Sequence, residues 1–150
     1  RALFLSGYAG SNPASRIMKA IPQKDPSGCS VACVASITGL NYGNARNLFD
    51  KPNHAKKRGY YCREIVKALG HVNSNYTYNY LKPNKKSLLN KKQCIVFIKR
   101  SKRYPIGHYL ARNSKGLWMD PWINIPREPT RSGWRRKLPG KAIYVIYPRR

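Results

Sequence analysis

Cys29 opens a run of small and apolar residues, CSVACVASIT, just after the turn residues Pro26-Ser27-Gly28, with Gln23 six positions upstream. A cysteine so placed is a nucleophile, a metal or disulfide partner, or a small buried hydrophobe. Cys29, Cys33, Cys62 and Cys94 would allow two disulfides. Cys29 and Cys33, however, stand four apart on one predicted helix, and no spacing resembles a disulfide framework. A tetrahedral zinc site needs paired ligands at short spacing, and His54, His71 and His108 do not supply the second pair. No metal and no cofactor is therefore expected, and Cys33, Cys62 and Cys94 are read as reduced core residues. Two further short motifs carry polar chemistry: Gly107-His108-Tyr109 and Asp120-Pro121. His54 and His71 are read as packed or exposed histidines, and Asp120 has the simpler alternative of capping the turn at Pro121.

The elements that must position these residues fall in a definite order. Cys29–Thr38 suits a helix buried on most sides, stopped at Gly39. Residues 44–50, NARNLFD, read as a second short helix, residues 51–59 as a basic loop, and Tyr60–Leu69 as an amphipathic helix ending at Gly70. A short helix near Ala14–Ala20 is also expected. The second half alternates or runs apolar at strand length: Tyr76–Leu81, Cys94–Lys99, His108–Arg112, Gly116–Met119 and Ala142–Tyr147. Asn113-Ser114-Lys115-Gly116 makes a tight turn between two of them. Arg127–Gly140, rich in Pro, Arg and Lys, reads as an exposed loop. Helices first and an antiparallel sheet after them make an α+β domain.

The chain has 150 residues, a single-domain length, and 41% hydrophobic residues, too many for a disordered tail. No apolar run approaches the roughly 20 residues that span a bilayer. The first residue is Arg, so the chain is expected to be a piece of a longer protein, with residues 1–20 a linker or extension. Lys and Arg number 30 against 5 Asp and Glu, a formal charge of +25. Solubility needs far less charge than this, and self-repulsion opposes compaction. A polyanion is the expected partner, nucleic acid foremost.

The ordered set Gln23, Cys29, His108, Asp120 resembles the papain-like cysteine peptidases. It is most similar to the bacteriocin-processing peptidase domains of peptide exporters, over roughly residues 21–123. The resemblance implies a papain-like fold with Cys29 as nucleophile, its thiolate favoured by the positive end of the helix dipole. It implies His108 as base and then acid, and Asp120 as the group that holds the imidazole. Gln23 and the Cys29 backbone N–H would donate to the oxyanion.

Peptide hydrolysis does not require +25. Basic clusters include Lys56-Lys57-Arg58, Lys99-Arg100 with Lys102-Arg103, and Arg135-Arg136-Lys137. With Trp122 and other aromatics nearby, these suggest a single-stranded RNA surface beside the site, against the plainer reading of solvated lysines. The leading expectation is a metal-independent ribonuclease acting on tRNA. It would be a toxin domain of the colicin or contact-dependent growth-inhibition kind, delivered from a larger bacterial protein into a target-cell cytoplasm and held by an acidic immunity protein. A cysteine peptidase using Cys29, His108 and Asp120 is the alternative. An inactive module that binds RNA or an acidic protein is the third reading.

Overall fold

The computed structural model describes residues 17–149. Four helices come first: α1 (Cys29–Thr38), α2 (Tyr42–Arg46), α3 (His54–Lys57) and α4 (Cys62–Gly70). Six strands follow: β1 (Tyr76–Tyr80), β2 (Ile95–Ile98), β3 (His108–Arg112), β4 (Trp118–Asp120), β5 (Gly133–Arg135) and β6 (Ala142–Pro148). They form one antiparallel sheet in the order β1-β6-β2-β3-β4-β5. The α+β plan expected from the sequence is the architecture observed.

All ten residues of α1 are buried, as its lack of a polar face requires. The helix packs on β3 and against α2 and α4. Strand alternation splits the apolar residues into two layers. Ile95, Ala111, Met119 and Ile146 face the helices with Val31, Ile37, Ile65 and Leu69. Cys94, Val96, Ile98, Leu110, Trp118 and Val145 form a second cluster on the opposite face.

Several boundaries differ from the sequence expectation. The helix expected over residues 44–50 starts at Tyr42, because the Asn41 side chain accepts the Asn44 N–H at 2.8 Å and sets the cap there. It ends at Arg46, and Leu48 and Phe49 turn inward to the core instead of continuing it. The expected basic loop contains the single turn α3. Of the helix expected near Ala14–Ala20, residues 14–16 lie outside the described residues, and residues 17–20 carry no regular structure. A 3-10 helix, Pro83–Asn90, joins β1 to β2. The segment Arg127–Gly140 is not all loop: β5 lies within it and pairs with β4.

Gly28, which precedes α1, is fixed by close approach. A Cβ there would lie 2.0 Å from the Tyr42 hydroxyl. That hydroxyl cannot retreat freely, since it donates to Asp25 Oδ2 at 2.7 Å. Gly28→Ala is expected to lower the unfolding free energy by about 1–3 kcal/mol, the usual cost of overpacking. Gly43→Ala, where the nearest atom is 3.7 Å away, should cost nothing. Urea denaturation of the two variants checks the difference.

Candidate active site

Each side chain of the site stands at the end of an element. Cys29 is the first residue of α1, and His108 is the first of β3. Asp120 is the last of β4, where the chain turns at Pro121. Gly107 makes the approach to His108 possible: its φ is +80°, and a Cβ would lie 2.2 Å from the Phe97 ring. The β3–β4 turn is closed by Asn113, whose Oδ1 accepts the N–H groups of Lys115 and Leu117, both at 2.9 Å.

The imidazole of His108 is 3% exposed and hydrogen-bonds through Nε2 to Asp120 Oδ1 at 2.7 Å. On its other side it interacts with Cys29. Nδ1 is the ring nitrogen left for the sulfur. Tyr104 stacks on the imidazole, with centroids 4.8 Å apart and planes 13° from parallel. Burial pulls the imidazole pKa down, but hydrogen bonds to Asp120 and Cys29, with their charges, outweigh it and raise the value to about 9.

Asp120 is wholly buried and has three partners. These are His108, the Trp122 backbone N–H at 3.0 Å to Oδ1, and the Arg135 guanidinium at 2.7 Å to Oδ2. Burial pushes its carboxyl up, yet these partners hold it below the ordinary value. The other cysteines are free and buried. Burial raises the thiol of Cys33 well up, that of Cys62 to about 11 and that of Cys94 to about 12.

Gln23 lies beside the Asp120 turn, its backbone N–H donating to Pro121 O at 3.1 Å. Its side-chain Nε2 donates to the carbonyls of Asp25 and Pro26 at 3.0 and 3.1 Å, which accounts for both amide hydrogens. Oε1 is buried without a partner. In this arrangement the amide braces the loop that leads into Cys29.

The basic residues expected to contact nucleic acid divide. Arg58 and Arg100 border a cleft of about 350 Å³ whose wall includes Cys29. Lys56, Lys57, Lys99, Lys102, Arg103, Arg136 and Lys137 are exposed outside that wall. Arg135 is not a free surface cation, because its guanidinium is turned onto Asp120. Trp122 lines a separate groove with Gln23 and Glu128, and its indole N–H donates to Arg127 O at 2.9 Å. Sequence reasoning placed Tyr104 among the rings of a nucleic-acid surface and missed its stacking on His108, as it missed the inward role of Arg135. Only the spacing of Tyr104, one β-turn before His108, hinted at either.

Among solved structures, the chain is similar to the peptidase domain of Streptococcus ComA, a bifunctional ABC transporter involved in a quorum-sensing pathway. The TM-score is 0.55 at 19% identity, over 87% of this chain and 96% of that one. The fold is papain-like. No protein-family model matches the chain, and no curated protein does.

The histidine–carboxylate pair gives stability a definite pH dependence. His108 has a folded pKa near 9 against an ordinary 6.5. Its contribution is thus complete below about pH 6.5 and is lost as pH rises through 9. Asp120, held below 3.8, loses its contribution as pH falls through its folded value. Urea midpoints should descend between pH 6.5 and 9, and His108→Gln should flatten that descent. Parallel curves for the two proteins would contradict this reading.

Proposed function

We propose that this chain is a papain-like hydrolase with Cys29 as nucleophile, and that it works as a cysteine peptidase. The observation that carries the reading is the His108–Asp120 hydrogen bond with Cys29 interacting on the other side of the imidazole, at the ends of α1, β3 and β4, on a fold shared with a peptidase domain. The Cys29 sulfur bonds the scissile carbonyl carbon while His108 carries the proton as imidazolium. His108 then gives that proton to the leaving amine as the C–N bond breaks. Water, deprotonated by the same imidazole, attacks the thioester and releases the acid and the thiolate. Asp120 remains ionised throughout and fixes the ring. The oxyanion is met by the Cys29 backbone N–H, and Gln23 joins it only by releasing one of its two loop carbonyls.

A second reading is favoured by the charges. Of the five acids, Asp25, Asp50, Glu64 and Asp120 are each in ion pairs. Among the described residues no carboxylate borders the cleft, while Arg58, Arg63 and Arg100 do. The same cleft would then serve metal-independent cleavage of RNA, tRNA in particular, with His108 acting on the ribose hydroxyl and the cations on the phosphate.

For the peptidase reading, Cys29→Ala should abolish turnover of fluorogenic peptides, and His108→Ala should reduce it by about 10²–10⁴-fold. Iodoacetamide should modify Cys29 and spare Cys33, Cys62 and Cys94, as read by mass spectrometry. For the RNA reading, Cys29→Ala should keep partial activity where His108→Ala keeps none, with cut tRNA on gels from bacteria expressing the domain. Intact tRNA in poisoned cells removes that second reading.

A further inference from the structure

Four aromatic rings cross the sheet in register. Tyr80 on β1 stands opposite Tyr144 on β6, Tyr144 opposite Phe97 on β2, and Phe97 opposite Tyr109 on β3. Their centroids are 5.6, 6.5 and 4.8 Å apart along the row. Tyr144, Phe97 and Tyr109 form part of the wall of the cleft that Cys29 borders. Burial changes steadily along the row: Tyr80 is 57% exposed, Tyr144 and Phe97 are half-buried, and Tyr109 is 5% exposed. Tyr109 is also the chain neighbour of His108. The row therefore leads from the open edge of the sheet to the reactive pair.

Core packing explains the inner end of this row and not the outer end. A ring more than half exposed gains little from burial, and Tyr78, two residues from Tyr80 on the same face of β1, is 41% exposed. The rim above the row is cationic. Arg58 and Arg63 lie 4.5 and 4.8 Å from the Tyr61 ring centroid, and Arg100 stands on the same cleft. Arg58 is bound to Glu64, whereas Arg63 and Arg100 have no ion-pair partner among the described residues. At the inner end, α1 begins with no acidic side chain in its first turn. The hydroxyl of Ser30 there is buried in the cleft wall without a partner.

We propose that this cleft binds single-stranded RNA, with bases stacked along Tyr80, Tyr144 and Phe97 and phosphates held by Arg63 and Arg100. A strip of rings floored by a sheet and edged by unpaired guanidinium groups matches a chain that presents a flat base and a negative charge at every unit. An acidic peptide presents its charges irregularly and offers few rings, and it fits the row less well. The inference rests on the reading that the cleft beside Cys29 is the working site, and it gives the phosphodiester alternative its base-stacking and phosphate-holding residues.

The test is fluorescence anisotropy of a labelled single-stranded RNA with Cys29→Ala protein, so that binding is read without turnover. Tyr80→Ser, at an exposed position where folding is safe, and Tyr144→Leu should each weaken binding about tenfold. Arg63→Ala and Arg100→Ala should each lower the slope of log affinity against log salt by about 0.7. Unchanged affinity in all four variants overturns the proposal, since binding would then come from surface charge elsewhere. A polyglutamate peptide that binds as tightly and depends on the same rings also overturns it, in favour of an acidic protein partner. Tight, ring-dependent RNA binding alongside intact cellular tRNA would keep the RNA site and remove only the cleavage reading.

Discussion

The carboxylate of Asp120 is the point on which the rest of the candidate site turns. It carries a charge with no exposure to solvent, a state tolerated only when every oxygen is met. Three different segments meet it: the start of β3 through His108, the turn after β4 through the Trp122 N–H, and β5 through Arg135. One buried anion thus fixes the relative placement of three neighbouring strand ends. It also sets the plane of the imidazole, which Tyr104 supports by stacking, and so decides which ring nitrogen faces the sulfur of Cys29. Had Arg135 been absent, the second oxygen of Asp120 would lack its charged partner and the acid would be easier to protonate.

The same scarcity of acids shapes the outside of the molecule. With few carboxylates available, Asp25 and Glu64 serve as ties: Asp25 anchors Tyr42 and Arg46 under the loop before α1, and Glu64 caps α4 while holding Arg58. Among the described residues Glu64 pairs with Arg58 on the cleft rim, and no acid pairs with Arg63 or Arg100 there. Positive charge there is the complement of how the acids are used inside, and a peptidase-type fold is left with a surface that attracts anions.

Much of this was legible in the sequence, for local reasons. The run CSVACVASIT has no polar face, so it had to be a buried helix, and Gly39 had to end it. His108–Arg112 and Ala142–Tyr147 show themselves as strands by apolar content and length, and the order Gln23, Cys29, His108, Asp120 carried the fold. What was hidden depends on pairing between distant segments. β5 is only three residues inside a stretch rich in Pro and Arg, and it exists because β4 offers an edge. Arg135 looked like a member of a surface cluster since nothing in Arg135-Arg136-Lys137 tells which side chain turns inward. Trp122 was grouped with the basic clusters by proximity in sequence, yet the turn at Pro121 carries it to another groove. The aromatic row was invisible because strand register is not written in any one strand.

The backbone N–H of Gln23 donates to Pro121 O at 3.1 Å. This bond joins the loop before the first helix to the turn after the fourth strand, stitching the helical layer to the sheet at the very seam where thiol, imidazole and acid meet. The two layers consequently cannot shear past one another there without tearing that stitch, and the opposite lip, at the start of α4, is tied to β3 by the Tyr109 hydroxyl, which donates to Tyr60 O at 2.8 Å. The cleft is thus fastened along both margins, and its width is set by the two bonds together.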